Sequence, residues 1–256
     1  MADQIPADSD NPSLSNTGKP TAFPKTRWSL IASLGDVDER SASEALSELC
    51  DLYWYPVYAY IRRSGRSPED AEDLTQDFFA NVVRRGDLKN VTQRSSARFR
   101  SYILAAVKNL LTSDHRQQSA KRRGGTAIRL SIDAEVAEKR YRNEPAESLT
   151  PEDLFERRWA LTVIDTALQN LKAEYERSDR GKIFARLQPL IPLKNDTGQY
   201  ADAAQQLGMS DGAIQVAMHR LRKRYQTCIR EQIAHTVASE EEVEGELRYI
   251  FGLFAT

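Results

Sequence analysis

Residues Tyr200–Arg224 read YADAAQQLGMSDGAIQVAMHRLRKR, and their pattern decides what kind of fold this chain adopts. The stretch predicts a helix, a tight turn and a second helix that carries basic charge. Ala204 and Gly208 stand four apart: a small residue lets the helices cross closely, and a glycine takes a left-handed turn without a Cβ clash. Leu207, Met209, Ile214 and Ala217 supply apolar contacts between the helices, and Ser210 caps the second. That helix then presents Gln215, His219, Arg220, Arg222, Lys223 and Arg224, side chains of the type that reach phosphates and base edges in a major groove. A helical hairpin with a solvated basic face is the alternative. Spacing, turn and charge together favour DNA binding.

Outward from this stretch, the composition points the same way. Only 12 Gly and 10 Pro occur in 256 residues and no run of alternating β-branched residues appears, so an all-α chain is expected. The length leaves room for two small helical domains. Cys50 and Cys228 lie far apart without metal-ligand spacing, and both are expected as buried free thiols of a reducing compartment. No apolar run approaches the ~20 residues of a membrane span, and the N-terminus lacks the pattern of a signal peptide. The expectation is a cytoplasmic protein without a membrane-bound part.

The net charge of −1 conceals segregation. Gln215–Arg230 holds five Lys/Arg and no acid, and Lys108–Arg129 holds six against the single acid Asp114. Ser67–Asp77 holds five acids and no base, and Glu231–Thr256 holds six Glu against one Arg. Two separated basic segments imply two contacts with one polyanion, while the compact acidic patch implies a protein partner.

Residues 1–25 are rich in Pro, Ser, Asn and Asp and are expected to be disordered. A first domain over 26–125 would begin with a short helix at Arg27–Leu34. A long amphipathic helix follows from the capping pair Ser41 and Glu44 to about Arg63, with Pro56 inside it. Ser67, Pro68, Glu69 and Asp70 announce the next helix, which runs to about Arg84. Another spans Phe99 to Arg116 and leads into the basic run Lys121–Gly125. A charged linker over 126–149, with room for a short helix, precedes a second domain over 150–235. Thr150, Pro151 and Asp153 open that domain with a helix to about Tyr175, and Gly181–Pro189 forms another. In the extension over 236–256, Val243, Leu247, Ile250 and Phe254 form one apolar stripe, with Phe251 beside it. Such a stripe is expected to dock onto the second domain, either as a structural cap or with its acidic edge weakening DNA binding.

The segment SPEDAEDLTQDFFANVV (67–83) resembles the region 2 signature of bacterial RNA polymerase sigma factors, above all the extracytoplasmic-function group. The preceding LCDLYWYPVYAYIRRSG resembles the start of that region. FRSYILAAVKNLL with its basic run resembles the helix that opens the minus-10 element, and Tyr200–Arg230 resembles region 4, which reads the minus-35 element. Together these cover about residues 41–125 and 154–230. The resemblance implies that core RNA polymerase is the partner, through the clamp helices of its largest subunit and the flap of the second subunit. Asp73, Gln76 and Asp77 would make polar contacts there, and Phe79 or Val83 would add apolar area. The loop 87–97 matches the segment that captures a flipped base. Lys108, Asn109, Arg116, Lys121, Arg122 and Arg123 would hold the melted strand. Ser210, Gln215, Val216, His219, Arg220 and Lys223 would face the double-stranded minus-35 DNA. An anti-sigma factor or other regulator is a further partner of such proteins.

The chain also departs from that pattern. Ser113 stands where an Asp is usual, Tyr102 where a Trp is common, and Gln215 and Val216 where Lys and Ser are frequent. Lys172–Thr197 is longer than the usual opening of region 4. TRWSL (26–30) and the C-terminal extension resemble a planctomycete-type subgroup. The expected function is that of a sigma factor, with a dimeric helix-turn-helix repressor or activator as the alternative. His115, His219 and His235 are dispersed, with no phosphate loop or nucleophile–base pairing, so neither an enzyme nor a cofactor is expected.

Overall fold

The computed structural model describes residues 39–85, 98–117, 134–144, 149–192, 197–237 and 239–255. The expectations for residues 1–25, for a helix at 27–34 and for the loop 87–97 lie outside them. Among the described residues the chain is helical with no strand. The elements are α1 (Glu39–Arg63), α2 (Pro68–Arg85), α3 (Phe99–Gln117), α4 (Ala134–Arg142), α5 (Pro151–Arg177) and α6 (Gly181–Leu187). A 3₁₀ turn (Gln188–Leu190) then precedes α7 (Thr197–Leu207), α8 (Asp211–Ala234) and α9 (Glu240–Gly252).

From Leu52 to Ile61 every residue of α1 is buried, so this stretch of the helix is covered on all sides rather than along one stripe. Tyrosines make this affordable, because each brings a ring to the core and carries its own polar end. Tyr55 donates to Glu144 at 2.7 Å and Tyr58 to Glu138 at 2.7 Å. Glu138 also accepts from Arg62 at 2.9 and 3.0 Å, so α4 and the turn that follows it are fastened to α1 through two carboxylates. The expected linker therefore contains a docked helix, with Ala137 in the core.

The turn from α1 to α2 uses Gly65 at φ 90°, and Ser67 caps α2 by accepting from the Asp70 amide at 3.1 Å. Thr150 and Asp153 form the reciprocal cap expected at the head of α5. Helix α5 packs along both α1 and α8. Its N-terminal half buries Leu154, Phe155 and Trp159, with Tyr53 stacked 6.4 Å from Phe155 and 6.5 Å from Trp159. Its C-terminal half buries Val163, Ala167, Leu171 and Tyr175, alongside α6 and α8. The core is thus continuous across residue 150, where the sequence suggests a domain boundary. The physical reason is the length of α5: one helix of 27 residues, ~40 Å long, carries two apolar faces in succession.

Candidate nucleic-acid and partner interfaces

On α2 the apolar and acidic residues sort by helical spacing. Ala71, Thr75, Phe78 and Val82 point inward, and the Thr75 hydroxyl donates to the Ala71 carbonyl at 2.6 Å. Asp73 and Asp77, four apart, are exposed on the outer face. Gln76 is half-buried and donates to Glu72 at 3.1 Å. Phe79 corrects the expectation of an apolar contact for a partner. It is only 2 % exposed and meets Phe78 edge-on at 5.1 Å, so its ring belongs to the core. The pair Phe78–Phe79 is long enough to fill both the stripe and its shoulder, which spacing alone does not distinguish. The Val83 side chain lies outside the described residues.

On α3, Lys108 and Asn109 are exposed, and the Lys108 ammonium pairs with Glu152 of α5 at 2.8 Å. That hydrogen bond holds the Glu152 carboxyl below the usual range. Tyr102 is half-buried, 6.1 Å from Phe99. The Arg116 side chain and residues Lys121, Arg122 and Arg123 lie outside the described residues.

Helices α7 and α8 are joined by a tight turn. Gly208 sits at φ 63°, the Met209 amide donates to the Ala204 carbonyl at 3.0 Å, and Ala204 is buried at the crossing. Ser210 caps α8 by accepting from the Ala213 amide at 3.3 Å. Ile214, Met218 and Leu221 face inward. The opposite side gathers Gln215, Val216, His219, Arg220 and Lys223 at spacings of three and four, all exposed, with Ser210 at its head. Val216, at 50 % exposure, forms an apolar spot in this polar surface. Two of the arginines expected on the face are turned away from it. Arg222 donates to the carbonyls of Leu190 (3.1 Å) and Ile191 (3.3 Å), and Arg224 pairs with Glu174 (2.8 Å) and Glu231 (2.9 Å). Unpaired carbonyls at the end of the 3₁₀ turn and a carboxylate on α5 compete for these cations, and the sequence alone does not display that competition.

One cluster escaped the sequence reading. Glu246 of α9, 1 % exposed, pairs with Arg98 at 2.5 Å and with Arg100 at 3.3 Å, both at the head of α3. Arg100 also pairs with Glu156 of α5 and lies over the rings of Trp159 (4.8 Å) and Tyr249 (4.3 Å). Burial pushes the Glu156 carboxyl up, against the opposing pull of Arg100. Burial works against the Arg100 cation too, but its two carboxylate partners outweigh it and its proton is held more tightly. A signal was present: Glu246 falls within the stripe Val243, Leu247, Ile250, where an acid calls for a buried partner.

Among the described residues, no group of His, Cys, Asp and Glu is arranged to hold a metal ion, and no helix is long and apolar enough to cross a membrane. Cys228 is a buried free thiol. No curated protein and no solved structure matches the chain. Residues 53–121, which run from the aromatic centre of α1 through the acidic α2 and the basic end of α3, match the family model of sigma-70 region 2. This match, on an all-helical fold with those two charged faces, supports a sigma factor of the sigma-70 family, which takes part in transcription initiation through core RNA polymerase and promoter DNA.

Proposed function

We propose that this chain is an extracytoplasmic-function-type sigma factor of the planctomycete-type subgroup, a cytoplasmic specificity subunit rather than an enzyme. Helix α2 binds the clamp helices of the largest polymerase subunit through Asp73, Gln76 and Asp77, with Val83 as the apolar contributor. Helix α3 and the basic run after it hold the melted minus-10 strand through Lys108, Asn109, Arg116, Lys121, Arg122 and Arg123. Phosphate contacts set position here, and unstacked bases are held by stacking and cationic contacts. Helix α8 lies in the major groove of the minus-35 element with Ser210, Gln215, Val216, His219, Arg220 and Lys223 towards the DNA. The flap of the second polymerase subunit and an anti-sigma factor are further partners in this reading.

The observation that carries the proposal is the region 2 match over 53–121, supported by the capped helix α8 with its polar face outward. A dimeric helix-turn-helix repressor would explain α8 but would leave the acidic face of α2 and the basic end of α3 without a use. Capture of core polymerase separates the two. The chain should retain core polymerase in the absence of DNA. Asp73→Arg with Gln76→Ala should weaken that binding by about 1–3 kcal/mol, roughly 5- to 150-fold, while leaving helicity unchanged. A folded double mutant with full polymerase affinity would remove the clamp assignment, and no polymerase binding at all would favour the repressor.

A further inference from the structure

Helix α8 carries two residues on its outer face, Gly212 and Val216, that the packing of the described residues does not call for. Val216 is two residues on from the buried Ile214 and ~200° around the helix, so its side chain leaves on the side opposite the core. Gln215 stands to one side of it at ~100° and Arg220 to the other at ~240°, and His219 and Lys223 continue the face towards the C-terminus. These neighbours all bond polar groups. Val216 carries no donor or acceptor, yet half of its surface is exposed.

Gly212 lies one turn earlier on the same side of α8 and is exposed. The turn before α8 needs its glycine, because φ is 63° at Gly208. Gly212 stands inside the helix, and a Cβ there would meet nothing within 4 Å among the described residues. Alanine would make a more stable helix at such a position, so the glycine gives up stability to keep the surface bare. A local rule broken without gain inside the fold points to contact with something outside it. A helical side chain lies over the turn that precedes it, so Val216 covers the turn that holds Gly212. No side chain at 212 stands beside its methyl groups. Its inner edge borders a groove with Met209, Ala213 and Ala217. A β-branched side chain keeps one rotamer in a helix, so the direction of these methyl groups is set before anything binds.

Base edges in the major groove offer such a group two kinds of surface. Guanine, adenine and cytosine present donors or acceptors there, and thymine adds a C5 methyl group. An apolar side chain pressed on a donor or acceptor strips its water and returns no bond, which is a penalty. Pressed on the methyl group, it buries apolar surface on both partners. We infer that Val216 reads the C5 methyl of a thymine in the duplex bound by α8, and that Gly212 leaves the room for that base edge to come close. The inference rests on the reading of α8 as a helix that enters the major groove.

Replacing thymine by uracil tests it, because the two bases pair alike and differ in the major groove by that methyl group alone. Duplexes are first selected from a randomised pool by the full-length chain with core polymerase. Each thymine of their shared upstream element is then replaced in turn. Uracil at one position should weaken binding about fourfold, as expected for one buried methyl group. Val216→Ser and Val216→Ala cut the side chain back to Cβ, and circular dichroism establishes that each is folded. Both should bind the thymine duplex about as weakly as the parent binds the uracil duplex, and both should be indifferent to the replacement. Gly212→Ala should keep its fold and lose about tenfold on the thymine duplex, within the range of one mismatched base pair. An upstream element without thymine, a scan without effect, a folded Val216 variant as sensitive as the parent, or full affinity in Gly212→Ala would overturn the inference. A chain that selects no common upstream element overturns it together with the DNA role of α8. If core polymerase does not bind, the sigma-factor reading fails by itself, and the same scan on duplexes selected by the chain alone still decides whether Val216 reads thymine.

Discussion

Single side chains show where charge serves structure and where it faces a partner. Glu138 accepts hydrogen bonds from Arg62 and Tyr58, and the Arg62 bond above all draws its carboxyl down from 4.5 to about 2. A folded-state value below the unfolded one adds stability above 4.5, which is lost as the pH falls from 4.5 towards 2. The stability gap between the parent chain and Glu138→Gln should accordingly be widest near neutral pH and close across that window in a series of thermal melts. A gap that is the same at every pH would show that Glu138 acts through packing alone. On α8 the division differs. Arg220→Ala or Lys223→Ala should each lower the salt slope of DNA binding by about 1 with little change in sequence preference. Gln215→Ala should shift the selected bases and keep the slope; an unchanged consensus would show that Gln215 reads no base. The sequence displayed these exposed residues correctly, because spacing of three and four gives a face. It did not separate Arg222 and Arg224 from them, since Leu190 and Glu174, which draw these two side chains away, are distant in sequence.

The elements were mostly legible because their ends carry local chemistry. Ser67, Thr150 and Ser210 each accept from an amide three residues on, and these caps fix where α2, α5 and α8 begin. Gly208 is the sharpest case, because the turn between α7 and α8 requires its positive φ while a Cβ there would meet nothing within 4 Å. Gly208→Ala should destabilise the chain by about 1–2 kcal/mol through backbone strain alone. Gly212→Ala, in equally open space but at an ordinary helical φ, should stabilise it by about 0.4–1 kcal/mol. Denaturant titrations that gave both the same sign would contradict the left-handed turn. Burial of Leu52–Ile61 on all sides was harder to see, because Tyr55 and Tyr58 look polar until Glu144 and Glu138 are brought to their hydroxyls.

At the scale of the whole molecule, what the sequence hid is how its parts meet. Phe155 and Trp159 read as one more apolar helix face, and nothing local says that their neighbour is Tyr53, about a hundred residues earlier. Long-range packing of this kind carries much of the stability. Trp159→Ala removes a ring with no exposed surface and should cost about 3–5 kcal/mol, read as a lowered denaturation midpoint with no residual folded intermediate. The acidic α2, the α3 that carries Lys108 and the α8 that carries Arg220 and Lys223 are all held on this one core, each with its charged side turned outward. The central claim is that these faces work together as a promoter-specificity subunit. Its most direct test is transcription reconstituted from purified core polymerase, this chain and a genomic DNA library. The account predicts discrete transcripts that depend on the chain, whose start sites share one upstream motif near minus-35 and another near minus-10. Transcription that is random and unchanged by the chain, although the chain is folded and bound to polymerase, would contradict it.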